Sequence, residues 1–89
     1  MIITKNDVVE KIVNYLNHKI TLKDLVNWAE DAIMEADLEE THFEVIRDVL
    51  SQIGLADVEA FGLTWEDCDK MLAKLGYRAS VEVEKIKSN

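Results

Sequence analysis

No proline interrupts this chain, only one cysteine, Cys68, stands in it, and glycine is confined to positions 54, 62 and 76. Without proline, the ends of elements must be set by caps and turns. A lone cysteine excludes an intramolecular disulfide and fits a reducing compartment. Long apolar runs are also missing. Nothing approaches the roughly 18 apolar residues of a membrane span, and Met1 to Asp7 lacks an apolar stretch of signal-peptide length. The expectation is a soluble, unexported, cytoplasmic protein with no membrane association. Basic residues are nearly absent from the middle of the chain. Between Trp28 and Asp69, thirteen acidic residues stand against one base, Arg47, while both flanks are slightly basic. The formal net charge of −8 is therefore segregated. Such a surface attracts basic partners and repels phosphate backbones, so nucleic-acid binding is not expected.

What is present is enough to fold. Hydrophobic residues make up 48% of the 89 positions, which argues against a disordered acidic tail. At this length there is room for one core, and about 60–65% of the unfolded surface can be buried. The expected organisation is a single domain over residues 1–89, with residues 77–89 a strand and flexible tail.

Three threonines mark helix starts. Thr21 with Asp24, Thr41 with Glu44 and Thr64 with Asp67 each place a carboxylate three residues after a hydroxyl, ahead of an apolar-periodic stretch. In this spacing the hydroxyl accepts from the third helical amide, and the carboxylate sits at the positive end of the helix. The first helix is expected over about Asp7 to His18, capped by Asn6, with Val9, Ile12, Val13 and Leu16 as its stripe. The second runs from Leu22 to about Asp37 on Leu22, Leu25, Val26, Ala29, Ala32, Ile33 and Ala36, its alanines allowing close helix contact. A third, from His42 to Ile53, aligns Phe43, Ile46, Leu50 and Ile53 and closes on Gly54. A short turn is expected around Val58 and Phe61. The last helix, Trp65 to Leu75, aligns Trp65, Cys68, Leu72 and Leu75 and closes on Gly76.

After Gly76 the period changes to alternation: Tyr77, Ala79, Val81 and Val83 interleave with Arg78, Ser80, Glu82 and Glu84. The expected fold is mainly α, a compact four-helix domain with a short C-terminal β-strand. That strand pairs with Met1 to Thr4, frays as a tail, or adds to another molecule. The spacing of the three threonines does not extend to the segments that follow them, so it reflects repeated capping and not a solenoid.

Little in the chain suggests catalysis. Ser51, Ser80 and Ser88 lie in no nucleophile setting. Cys68 falls on an apolar stripe, where thiols are inert. His18 suits a helix C-terminus. His18, His42 and Cys68 are too scattered for zinc. Glu35, Asp37, Glu39 and Glu40 lack the calcium-loop pattern. The C-terminal bases Lys70, Lys74 and Arg78 complement the carbonyl end of the last helix. No enzyme activity, metal or cofactor is expected.

The candidate partner-binding residues are Glu30, Asp31, Met34, Glu35, Asp37, Glu39 and Glu40. Met34 points away from the apolar stripe of the second helix and is ringed by acids, so it can anchor a partner with a basic rim. Trp28, at the stripe's edge, is placed either in the core or toward a partner. Other acids, Glu44, Glu66 and Asp67, are accounted for by helix starts.

The stretches LVNWAEDAI from Leu25 to Ile33, VIRDVLSQIG from Val45 to Gly54 and TWEDCDKMLAKLGY from Thr64 to Tyr77 resemble small acidic all-helical bacterial proteins. These include immunity-type proteins of toxin systems and uncharacterised families. The resemblance implies a bacterial origin and a tight-binding role. Together these features lead to an expected non-enzymatic protein that binds a basic protein partner. The alternative is a self-associating adaptor, a homodimer in which acidity serves solubility.

Overall fold

The computed structural model describes residues 2–56 and 62–78. It is mainly helical, with β1 (Ile2–Ile3), α1 (Lys5–Leu16), α2 (Leu22–Glu35), β2 (Asp37–Leu38), a 3₁₀ turn (Glu40–His42), α3 (Phe43–Gly54) and α4 (Trp65–Lys74).

Three helices start on reciprocal capping boxes, but not the three the sequence indicates. Thr21 with Asp24 and Thr64 with Asp67 form as expected. The third is Thr4 with Asp7: Thr4 N–H donates to the Asp7 carboxylate at 2.8 Å, and Asp7 N–H donates to the Thr4 hydroxyl at 3.2 Å. Thr4 thus replaces Asn6 as the cap of α1. Thr41 caps nothing; it lies in the 3₁₀ turn, and α3 starts after His42 without a side-chain cap bond. The turn supplies helical backbone ahead of α3, so no extended residue remains at Thr41 to act as a cap.

Helix ends follow equally local rules. At α1, Lys19 N–H reaches the Asn14 carbonyl at 2.8 Å and His18 N–H the Tyr15 carbonyl at 3.0 Å. This is a Schellman closure with His18 at φ 61° in the position glycine usually takes. At α4, Gly76 adopts φ 89°, and Tyr77 N–H bonds the Leu72 carbonyl at 2.8 Å. Gly54, by contrast, is the last residue of α3, with Leu55 at the cap.

The core is aliphatic. Leu25, Ala29, Ile46, Val49, Leu50, Ile53, Val8, Ile12, Cys68 and Met71 have no exposed surface. Each large aliphatic side chain so buried contributes about 1.5–3 kcal/mol. The small Ala29 and Ala32 let α2 approach α3 along the most extensive helix contact of the fold. In α1 the buried side centres on Val8 and Ile12, and Val13 faces outward. Phe43 and Trp65, placed on core stripes by their spacing, lie at the first turns of α3 and α4 and remain partly exposed.

The N-terminal strand finds a partner within the chain. β1 pairs in parallel with β2, Ile2 opposite Asp37 and Ile3 opposite Leu38. Asp37 therefore leaves α2 and enters a strand, starting from the extended backbone of Ala36. Alternation buries Ile3 and exposes Ile2. Tyr77 and Arg78 are not in a strand; the rest of the expected C-terminal strand, and the turn expected around Val58 and Phe61, lie outside the described residues. Tyr77 latches α4 to α1: its hydroxyl donates to Asn6 Oδ1 at 2.7 Å, and the Lys5 ammonium lies 5.8 Å from its ring centre.

Candidate functional site

Helical periodicity divides α2 into a buried side and two outward flanks. Leu25, Val26, Ala29 and Ala32 face the core. On one flank stand Glu30, Ile33 and Met34; on the other, Trp28, Asp31 and Glu35.

The first flank faces the end of α3. Glu30, Ile33 and Met34 together with Ser51, Gly54 and Leu55 line an open groove of about 440 Å³. Met34 is 82% exposed and Leu55 85%, an apolar pair that the fold leaves in solvent. Gly54 keeps this part of α3 low; a methyl there would stand 3.7 Å from Glu30 Cγ, an ordinary contact. Arg47, one turn before Ser51, lies 5.8 Å from the Phe43 ring centre on its own helix.

The second flank faces β1. Ile3, Ala32 and Ala36 form an apolar floor beside the Trp28 ring, with Asp31 and Glu35 completing a cleft of about 260 Å³. A neighbouring depression shares Ile3 and Trp28 and contains Ile2, Asp7, Glu10 and Lys11. There the Lys11 ammonium lies 5.6 Å from the Trp28 ring centre, within range of a cation–π attraction. Trp28 is partly buried against the core and lines both depressions.

The seven candidate residues do not form one patch. Glu30 and Met34 meet in the α2–α3 groove, while Asp31 and Glu35 lie together in the Trp28 cleft. Asp37 is exposed in β2, and Glu40 lines a shallow depression at the 3₁₀ turn. Glu39 is engaged within the fold: its Oε1 contacts His42 Nδ1 at 2.9 Å and accepts from Lys5 N–H at 3.4 Å. The His42 bond first, then the Lys5 amide, hold the Glu39 carboxyl below its ordinary pKa. Ile33 and Leu55 were missing from the sequence-based site. Ile33 shares the wheel sector of the core stripe, and Leu55 follows the helical period, so neither pattern indicates exposure.

Electrostatics separates the acids further. Asp24 and Asp67 accept from the Thr21 and Thr64 amides, and these bonds lower their pKa values. Glu35 ends α2, whose last turn has no basic residue, and Asp37 lies two residues beyond it. Carboxylates there oppose the negative end of the helix dipole. Among the described residues, the one contact within 4 Å between an acidic and a basic side chain is His42 with Glu39.

Groups capable of chemistry are otherwise buried or dispersed. Burial, then the Asp67 charge, push the Cys68 thiol up to about 11, which keeps it protonated near neutral pH. Burial first, with Cys68 second, also raises the Tyr15 phenol, whose hydroxyl donates to the Leu63 carbonyl at 3.2 Å. Among the described residues, no three His, Cys, Asp or Glu side chains converge as a metal site, and no helix is long and apolar enough to cross a membrane. No protein-family model, curated protein or solved structure matches this chain.

Proposed function

We propose that this chain is a non-enzymatic protein-binding domain whose α2 and the end of α3 receive a partner carrying an apolar anchor among basic residues. The supporting observation is the conjunction on one helix of exposed apolar surface, Met34 with Ile33 and Leu55 beside it, and carboxylates that folding does not use. An apolar contact of this kind supplies affinity, while the surrounding charge speeds encounter and selects the partner. The resemblance to immunity-type proteins fits this reading, in which the domain occludes a basic toxin or nuclease.

The test is capture by the tagged chain from a bacterial extract at low salt. A basic protein is expected to be retained, to elute at moderate salt, and to be lost from a variant carrying Met34→Ala and Leu55→Ala with unchanged circular dichroism. Retention by the folded double variant overturns the role of the groove.

Self-association is the second reading, because the same exposed Ile33, Met34 and Leu55 can be covered by another copy. Copies with a net charge of −8 repel each other, so such a dimer tightens as salt rises. Sedimentation over a range of concentration and salt separates the two: a monomer throughout removes this alternative.

A further inference from the structure

We infer that the cleft between α2 and β1 receives one arginine side chain of the partner. This deepens the reading above and rests on it, since it supposes a basic partner, but it concerns a different flank of α2 from the Met34 groove.

The two depressions that share Trp28 and Ile3 differ in one respect. One contains its own cation, Lys11, seated 5.6 Å from the indole centre. The other has carboxylates, Asp31 and Glu35, and no lysine or arginine among the residues that line it. Lys11 shows that a cation is accommodated beside this ring within the fold. In the cleft, Trp28 is joined by two acidic residues one helical turn apart, Asp31 and Glu35.

The floor fits the remainder of an arginine side chain. Ile3 and Ala32 are almost fully buried beneath the cleft, and the partly buried Trp28 and Ala36 above them offer apolar surface to a three-carbon stem. Long cationic side chains bury such stems while their heads remain on polar groups. Arginine is favoured over lysine because its planar guanidinium stacks on an indole and bonds carboxylates in a fork. The location adds a third source of negative potential. The cleft lies by the last turn of α2, whose carbonyl end carries partial negative charge and has no basic residue to offset it.

The probe is N-acetyl-arginine amide, titrated into the full ¹⁵N-labelled chain, with the citrulline and leucine counterparts as comparisons. The two indole N–H signals report separately. Trp28 lies in the cleft, and Trp65, on α4, is 43% exposed and serves as the internal reference. The expected result is a saturable shift of Trp28 with arginine and little with citrulline, which keeps the shape and loses the charge. Asp31→Asn with Glu35→Gln should weaken the arginine response about fivefold, the scale of losing charge-assisted bonds, without altering the circular dichroism. Equal responses to arginine and citrulline overturn the proposal, as do equal shifts at both indoles. A Trp28 shift with leucine that matches arginine overturns it in favour of an apolar occupant, and a shift with protein concentration alone in favour of a second copy. Met34→Ala should leave the arginine titration unchanged. Failure of groove-dependent capture and failure of the arginine cleft are therefore separate outcomes.

Discussion

The two ends of α2 use the same kind of residue in opposite ways. At the start, Asp24 sits at the positive end of the helix, its carboxylate accepting from Thr21 N–H at 3.0 Å and its own amide donating to the Thr21 hydroxyl at 3.1 Å. At the finish, Glu35 and Asp37 flank the negative end with no base in the last turn, beside a Met34 left 82% exposed. Folding accounts for the first arrangement and is locally opposed to the second. Residues whose placement the fold does not explain are the reasonable candidates for what the molecule does.

The contrast is sharpest in stability. Leu25, in the first half of α2, is fully buried, and Leu25→Ala should cost about 2–5 kcal/mol by urea denaturation. Met34→Ala, nine residues later, should change stability by no more than about 0.5 kcal/mol. A large loss at Met34 would mean that the groove side chains support the fold, and the distinction between the two ends would fail.

Helix starts give the next test. Thr21→Ala and Thr64→Ala each remove a hydroxyl that caps a helix and should cost about 1 kcal/mol. Thr41→Ala should be close to neutral, since Thr41 lies in the 3₁₀ turn and caps nothing. Equal costs at Thr21 and Thr41 would contradict the capping described here.

That pair also shows how far the sequence could be read. The Thr21 and Thr64 boxes were legible because a cap, its carboxylate and the apolar period lie within one short window. Thr41 has the same local pattern, but the path from β2 makes the preceding residues a 3₁₀ turn, which no local pattern specifies. Thr4 with Asp7 carries that same local pattern ahead of Val8 and Ile12 and was equally legible; assigning Met1 to Thr4 to a strand moved the cap to Asn6 instead. The β-branched pair Ile2–Ile3 indicates a strand, and its partner, Asp37–Leu38, lies at the far end of α2. The candidate site divides along the same line. Met34 was legible from the helical wheel alone. The Trp28 cleft was not, because its floor exists only where Ile3 is brought against Ala32 and Ala36.

Acid should act on the starts of helices. The Asp24 and Asp67 carboxyls are held below their ordinary pKa by bonds from Thr21 and Thr64, and that of Glu39 chiefly by His42. A carboxyl whose pKa is lowered by folding contributes stability above its unfolded value and loses it as pH falls through the folded one. The thermal midpoint should therefore hold from neutral pH to about 5 and decline below about 4. Asp24 is exposed and Glu39 and Asp67 are partly so, so solvent screening should make the decline gradual. In a variant carrying Asp24→Asn and Asp67→Asn it should be shallower, because two of the three carboxyls with lowered pKa no longer titrate. An unchanged slope would remove the capping carboxylates from the acid response.

The smallest effect bears most directly on why the two ends differ. Glu35→Lys replaces a charge that opposes the α2 dipole with one that favours it, so the variant should be slightly more stable, by about 0.3 kcal/mol after solvent screening. The same change places a positive charge in the Trp28 cleft, where it should suppress the arginine response and weaken capture of a basic partner. Gain in one property with loss in the other is the signature of a residue retained for binding at the expense of the helix. A control at Glu66, an acid in the favourable first turn of α4, should behave oppositely: Glu66→Lys should lower stability by a similar amount and leave the arginine titration unaltered. If Glu35→Lys instead destabilises the fold, the carboxylate has a structural role, and the end of α2 is no different in kind from its start.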